Sequence, residues 1–201
     1  MEQRSPEWFA ARLGRVTASR IADVCAKTKT GYSATRASYL SQLVAETLTG
    51  QPQESYTNAA MEWGVAQEPN ARAAYSAKVG EIVEECGFYP HPTLLAGASP
   101  DGLVGDDGLV EIKCPNTQTH LDWLLGDSPI PSKYMMQMQF QMVCADRQWC
   151  DFVSYDPRLP ANLQLFVKRV DRDAQMIEMI ESEVAKFCDE LAERVTKLRN
   201  L

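Results

Sequence analysis

Apolar and polar positions alternate along the chain with periods that divide it into a series of helices and strands. Ser5-Pro6 pairs an N-cap with a proline at the first helical position, and Trp8, Phe9 and Leu13 predict a short amphipathic helix ending near Gly14. Thr17-Ala18-Ser19 introduces a second helix through Cys25, with Ile21, Val24 and Cys25 facing inward and Ser19 as its cap. Over residues 33–50 the stripe Leu40, Leu43, Val44 and Leu48 predicts a longer helix that stops at Gly50. A polar loop through Asn58 follows, then a helix carrying Trp63, Gly64 and Glu68. Pro69 has no N–H, so it should kink that helix or start a new segment. Residues 81–89 and 94–98 read as strands, 119–125 and 132–144 as helices, and 147–155 and 163–170 as strands again. In the last helix, 173–201, Ile177, Ile180, Val184, Phe187, Leu191, Val195 and Leu198 recur at spacings of three and four, a stripe suited to core packing.

The centre of this pattern is the stretch 97–115, GASPDGLVGDDGLVEIKCP. Two apolar runs flank Gly105-Asp106-Asp107-Gly108, which predicts a β-hairpin with a tight turn. On its second strand Val110 and Ile112 share one face, Glu111 and Lys113 the other. An isolated Glu-x-Lys is ordinarily an exposed surface pair. Here the apolar runs make the hairpin central, and charges on a central strand need a chemical reason to be there. With Asp101 just before the hairpin, two carboxylates can share a divalent cation and the ammonium can stand beside an attacking water or a developing phosphorane charge.

Composition narrows the setting. The 201 residues suit one domain over 1–201. No apolar run is long enough for a membrane span, and residues 1–4 lack a signal-peptide pattern, so a cytoplasmic protein is expected. The six cysteines form no Cys-x-x-Cys pair and read as reduced thiols; His91 and His120 stand apart and offer no zinc site. A net charge of −7 argues against a surface coated with DNA-binding lysines, while leaving room for a locally basic channel around a set of metal-binding acids.

SPDG at 99–102 and EIKCP at 111–115, with nine residues between Asp101 and Glu111, are similar to the core of the PD-(D/E)xK nuclease superfamily. RLGRVTAS at 12–19, EWGVAQE at 62–68, YMMQMQFQM at 134–142 and SYDPR at 154–158 extend the likeness. Over nearly its whole length the chain resembles the phage lambda exonuclease, or YqaJ-type viral recombinase, family. That resemblance implies an α/β (α+β) restriction-endonuclease-like core, a central mixed sheet flanked by helices. It implies a Mg²⁺-dependent 5′-to-3′ exonuclease on linear double-stranded DNA, with two Mg²⁺ per site and Mn²⁺ able to substitute. Asp101 would bridge the ions, Glu111 and the Ile112 carbonyl would complete the tighter site, and Lys113 would orient or activate the water and stabilise transition-state charge. Glu68 and Gln137 would support the polar surroundings, and Ser99 would assist beside Asp101. Arg12 and Ser19 match the positions that hold the 5′-phosphate, Tyr134 lies close to the DNA, and Met61 stands where an apolar side chain meets the duplex end. Ala59 departs from the pattern, since a basic DNA contact is expected near it. The family also implies a homotrimeric ring, a phage-type single-strand annealing protein as partner, and a phage or prophage origin in a bacterial host. Two rivals remain: an endonuclease on the same core, and a catalytically inactive DNA-binding or scaffolding module. The iron–sulfur nucleases of the superfamily need a cysteine cluster that this sequence lacks at usable spacing.

Overall fold

The computed structural model describes residues 1–53 and 58–201; most of the expected polar loop before Asn58 lies outside them. Strands β4 (Val83–Glu84), β7 (Gly102–Val104), β8 (Gly108–Lys113), β9 (Trp149–Tyr155) and β10 (Leu165–Asp171) form a mixed sheet in the order β10-β9-β8-β7-β4. Only β8 and β9 run parallel. Their crossover carries α5 (Thr117–Leu125) and α6 (Ser132–Cys144), as parallel pairing requires a long return connection. The expected hairpin is present, with Leu103 opposite Leu109 and Val104 opposite Gly108. Gly105 adopts φ +53° at its turn, a region few other residues enter without cost.

Residues of β8 are buried on both faces, which explains its continuous apolar character. Val110 and Ile112 pack with Ala71 and Tyr75 of α4 (Ala59–Val79). Leu109 packs on the opposite side with Met138 and Met142 of α6 and Trp123 of α5. Helix α4 continues through Pro69 without the expected break. One backbone bond is lost there, and the carbonyl it frees belongs to Val65, a residue 45% exposed and so within reach of water.

A second core joins α2 (Ile21–Cys25), α3 (Ala34–Thr49) and α7 (Ala174–Arg199) to Phe140 of α6. Ser33 and Gly50 cap α3 as expected: the Ser33 hydroxyl accepts the Arg36 N–H and Gly50 is left-handed at φ +66°. The α7 stripe packs into this core from Ile180 to Val195, Ile177 is buried as well, and Leu198 stays exposed. Helix α1 (Pro6–Arg12) differs from expectation, for none of its residues is fully buried and Phe9 is 49% exposed.

The largest departure is a separate three-stranded sheet of β1 (Val16–Thr17), β6 (Ala96–Ala98) and β5 (Tyr89–Pro90). Thr17 is therefore strand, paired with Gly97, and the expected helix start at 17–19 becomes a 3₁₀ turn, Ala18–Arg20. Ser19 caps nothing; Arg20 precedes α2 without a side-chain cap. The long strands expected over 81–89 and 94–98 shrink to two- or three-residue pairings. The two-residue pairing of β2 (Lys27–Thr28) with β3 (Gly31–Tyr32) was likewise not expected. Gly97 sits where this small sheet is tightest: a Cβ there would lie 2.6 Å from the Tyr89 carbonyl oxygen and against the Phe88 ring. Gly97→Ala is expected to destabilise by about 1–3 kcal/mol through overpacking against backbone, read as a lower urea midpoint at unchanged slope.

Candidate active site

Asp101, Glu111 and Lys113 meet around the C-terminal half of β8. Pairing between β7 and β8 ends at Gly102 opposite Val110, so the N–H of Ile112 has no partner strand there. The Asp101 carboxylate takes that place, Oδ2 accepting the Ile112 N–H at 2.7 Å. The end of the ladder thus fixes the acid's position.

Glu111 is 1% exposed. A carboxylate in the middle of a sheet demands donors, and α6 supplies two. Gln137 Nε2 donates to Oε1 at 2.7 Å, and Gln141 Nε2 to Oε2 at 2.6 Å. Lys113 Nζ, on the same strand face, pairs with Oε1 as well. The Gln141 Oε1 atom is itself buried without a partner. Gln137 was expected beside the site; Gln141, one helical turn further on, was not assigned a role. Its spacing of four from Gln137 on the face toward Glu111 was the signal that could have found it.

Burial, and next the charge of Glu111, push the Asp101 carboxyl well above the usual carboxylate range. Burial works against the Lys113 ammonium, but Glu111 and Asp101 more than offset it and raise its pKa. The Cys114 thiol beside them is pushed up to about 12, chiefly by burial, and stays protonated.

Glu68 stands near Asp101, where its charge helps raise the Asp101 pKa, and its oxygens pair with Arg72 at 2.8 Å and Arg4 at 3.0 Å. It walls the site, since one cavity of about 440 Å³ is lined by Met61, Glu68, Asp101, Ile112, Lys113 and Tyr134. A second, of about 390 Å³, reaches Asp101 and Glu68 from the side of Gln3, Arg4 and Arg72. Sequence reasoning gave no part to Arg4, which is distant in the chain and carries no motif. Lys113 Nζ stands 5.0 Å from the Tyr134 ring centroid.

A third cavity, of about 490 Å³, holds Arg12 and the exposed Ser19 together with Trp8, Arg15 and Arg20. Met61 lines both this cavity and the first, and is 51% exposed between them. Arg12 Nη1 donates to Ser99 Oγ at 3.3 Å, so a residue lining the arginine cavity is tied to Ser99, which stands two residues from Asp101. Ala59 begins α4 beside its cap Asn58, whose side chain accepts the Met61 N–H.

The SYDPR segment locks the loop after β8 to α4. Asp156 accepts from Arg158 at 2.7 Å and from Thr117 at 2.7 Å. Arg158 reaches the Pro115 carbonyl at 3.2 Å and covers the Trp63 ring at 4.8 Å. Two motifs far apart in the chain thereby form one clamp beside the site.

Among the described residues, no three histidine, cysteine, aspartate or glutamate side chains gather into a preformed metal cluster. The donor chemistry does suit a hard divalent cation: Asp101, Glu111 and the Ile112 carbonyl are oxygen ligands. Burial first, and then the charge of Glu111, disfavour the Asp101 carboxylate, and a bound cation would offset both.

The YqaJ-like viral recombinase domain profile matches residues 7–148, which include every side chain named for this site except those of Gln3, Arg4, Asp156 and Arg158. The chain belongs to that family. It is 52% identical to the alkaline exonuclease LHK-Exo of Laribacter hongkongensis, with a TM-score of 0.89 over 98% of this chain and 97% of that one. The same exonuclease in complex with dAMP matches equally well. A phage-related exonuclease from Haemophilus somnus 129PT, at 14% identity, shares the fold with a TM-score of 0.73 over 92% of this chain and 96% of that one. No curated protein matches the chain. Its fold is that of the PD-(D/E)xK nucleases, a mixed α/β architecture with helices on its sheets.

Proposed function

We propose that the protein is a Mg²⁺-dependent exonuclease that degrades one strand of linear duplex DNA from its 5′ end. It releases 5′-mononucleotides and leaves a 3′ single-stranded overhang for annealing-type recombination. The observation that carries this reading is the junction of two cavities, one lined by Asp101, Ile112 and Lys113, the other by Arg12 and Ser19, with Met61 lining both and Ser99 hydrogen-bonded to Arg12. A phosphate gripped in the second cavity sets how far the strand reaches into the first. An endonuclease has no need of that arrangement, and an inactive scaffold has no need of a buried Glu111. The 52% identity to an alkaline exonuclease supports the activity, and that enzyme's complex with dAMP, a nucleoside monophosphate, supports the product.

Asp101, Glu111 and the Ile112 carbonyl would hold Mg²⁺, two ions per site, with Mn²⁺ able to substitute. Bound there, the metal supplies positive charge to the attacking and leaving oxygens of the phosphodiester. Lys113, on the same strand face as Glu111, would orient or activate the water and neutralise charge as it develops. Gln137 and Gln141 hold both Glu111 oxygens in place. Glu68, steadied by two arginines, limits how the cavity is shaped beside Asp101. Tyr134 offers its ring at the mouth of the cavity, and Met61 presents an apolar surface on which the terminal base pair can part.

Asp101→Asn and Glu111→Gln are expected to abolish cleavage, and Lys113→Ala to lower kcat by on the order of 10²–10³, as for a lost transition-state donor. Each protein should keep its far-UV circular dichroism. Full activity in EDTA would rule the mechanism out.

The terminal phosphate gives a separate test. Arg12 offers a planar, bidentate donor. Duplex with 5′-phosphate ends should be degraded much faster than duplex with 5′-hydroxyl ends, and Arg12→Ala should erase most of that preference. Equal wild-type rates on the two ends would reduce Arg12 and Ser19 to a structural role.

Assembly as a homotrimeric ring and docking of a single-strand annealing protein rest on family membership. Cyclic closure by a heterologous interface is physically ordinary. Sedimentation equilibrium should report three chains; a monomer at micromolar concentration would overturn the ring.

A further inference from the structure

We propose that Trp8 is a positioning residue for the 5′-terminal phosphate, fixing the direction in which Ser99 offers its hydrogen and the place at which Arg12 holds its charge. The inference deepens the phosphate reading above and rests on it. Trp8 Nε1 donates to Ser99 Oγ at 2.9 Å, and Arg12 Nη1 donates to the same oxygen at 3.3 Å. A serine hydroxyl has two acceptor sites and one hydrogen. With both acceptor sites filled by groups that can only donate, the Ser99 hydrogen is left to point away from them, toward an acceptor such as a phosphate oxygen. The indole also covers the guanidinium, with Arg12 Cζ 4.0 Å from the ring centroid. Arg12 makes no ion pair among the described residues, and burial lowers its pKa while Tyr39 and Glu46 partly restore it, so the ring face steadies a partly desolvated cation.

Packing does not account for this placement. Helix α1 buries no residue completely, and Trp8 is only half-buried at the cavity it shares with Arg12, Ser19 and Arg20. Its polar edge instead reaches 91 residues along the chain to Ser99. Ser99 lies two residues before Asp101, whose carboxylate is tied to the Ile112 N–H. Trp8 therefore stands at the joint between the anion pocket and the acid of the reaction.

The test is the ratio of kcat/KM on 5′-phosphorylated duplex to that on 5′-hydroxyl duplex, measured with one preparation of each protein so that any unfolded fraction cancels. Trp8→Phe keeps a ring and loses the N–H, and it should lower the ratio by about tenfold, the scale of one hydrogen bond to a charged group. Trp8→Leu, which also removes the ring face, should lower it further. In a Ser99→Ala background Trp8→Phe should change the ratio no more, because the hydroxyl it orients is gone. Rescue belongs to Trp8→His, whose ring N–H can again donate, and which should exceed Trp8→Phe. A Trp8→Phe ratio equal to wild type, or a fall of the same size with Ser99 already removed, overturns the inference and leaves the phosphate reading standing. A wild-type ratio of one removes both.

Discussion

The structure depends on a carboxylate held in the middle of its sheet. Glu111 occupies a strand buried on both faces, where an uncompensated charge would cost several kcal/mol. Its two oxygens are met by the Lys113 ammonium and by two glutamine amides from α6. That requirement fixes which face of α6 turns to the sheet. The same helix places Met138 and Met142 on Leu109 and Phe140 in the neighbouring core. Once α6 is oriented by Glu111, both cores are joined across it. The acid is thus the point at which chemistry and folding constrain each other.

Asp101 is fixed by a different device. Strand β7 is short, and where it stops the Ile112 N–H donates to the Asp101 carboxylate in place of a strand carbonyl. Around this point the amino-terminal residues are tied down. Gln3 donates to the carbonyls of Cys86 and Pro100 at 3.0 and 2.7 Å, and Arg4 reaches Glu68. On the far side the SYDPR clamp fastens α4 to the turn after Cys114. Helix α4 is therefore held at both flanks of the cavity, which keeps Met61 and Glu68 at set heights along its wall.

What the sequence made legible follows from the range of the interactions involved. The hairpin, α3 and most of the α7 stripe depend on turn glycines, caps and periodicity, all contained within a few residues, and they lie where those signals put them. Strands β1, β5 and β6 are two or three residues long, too short for any period to register, and β1 pairs with β6 across eighty positions. Pairing of Thr17 with Gly97 then overrode the capping signal of 17–19, and Ser19 became a wall of a cavity instead of a helix start. Pro69 broke nothing because its cost falls on a carbonyl at the exposed side of α4. The acid and lysine set was readable from its place on a central hairpin and from the resemblance of its motifs, not from spacing alone. Gln141, Arg4 and Trp8 were not assigned, since each acts through a contact made far along the chain.

A chain of net charge −7 must still present cations to an anionic polymer. Charge is sorted by location rather than by amount. Arg4, Arg12, Arg15 and Arg20 line one cavity, and Lys113 and Glu68 line the next. Arg4 and Arg20 are paired with Glu68 and Asp23, which leaves Arg12 and Arg15 outside the ion pairs of the described residues. Low dielectric walls make such unpaired guanidinium groups more effective per charge than lysines spread over a surface. The net negative charge of the chain as a whole opposes binding that does not use this recess. Net repulsion and a local basic recess together favour a chain end, which can enter a recess, over the side of a duplex, which cannot.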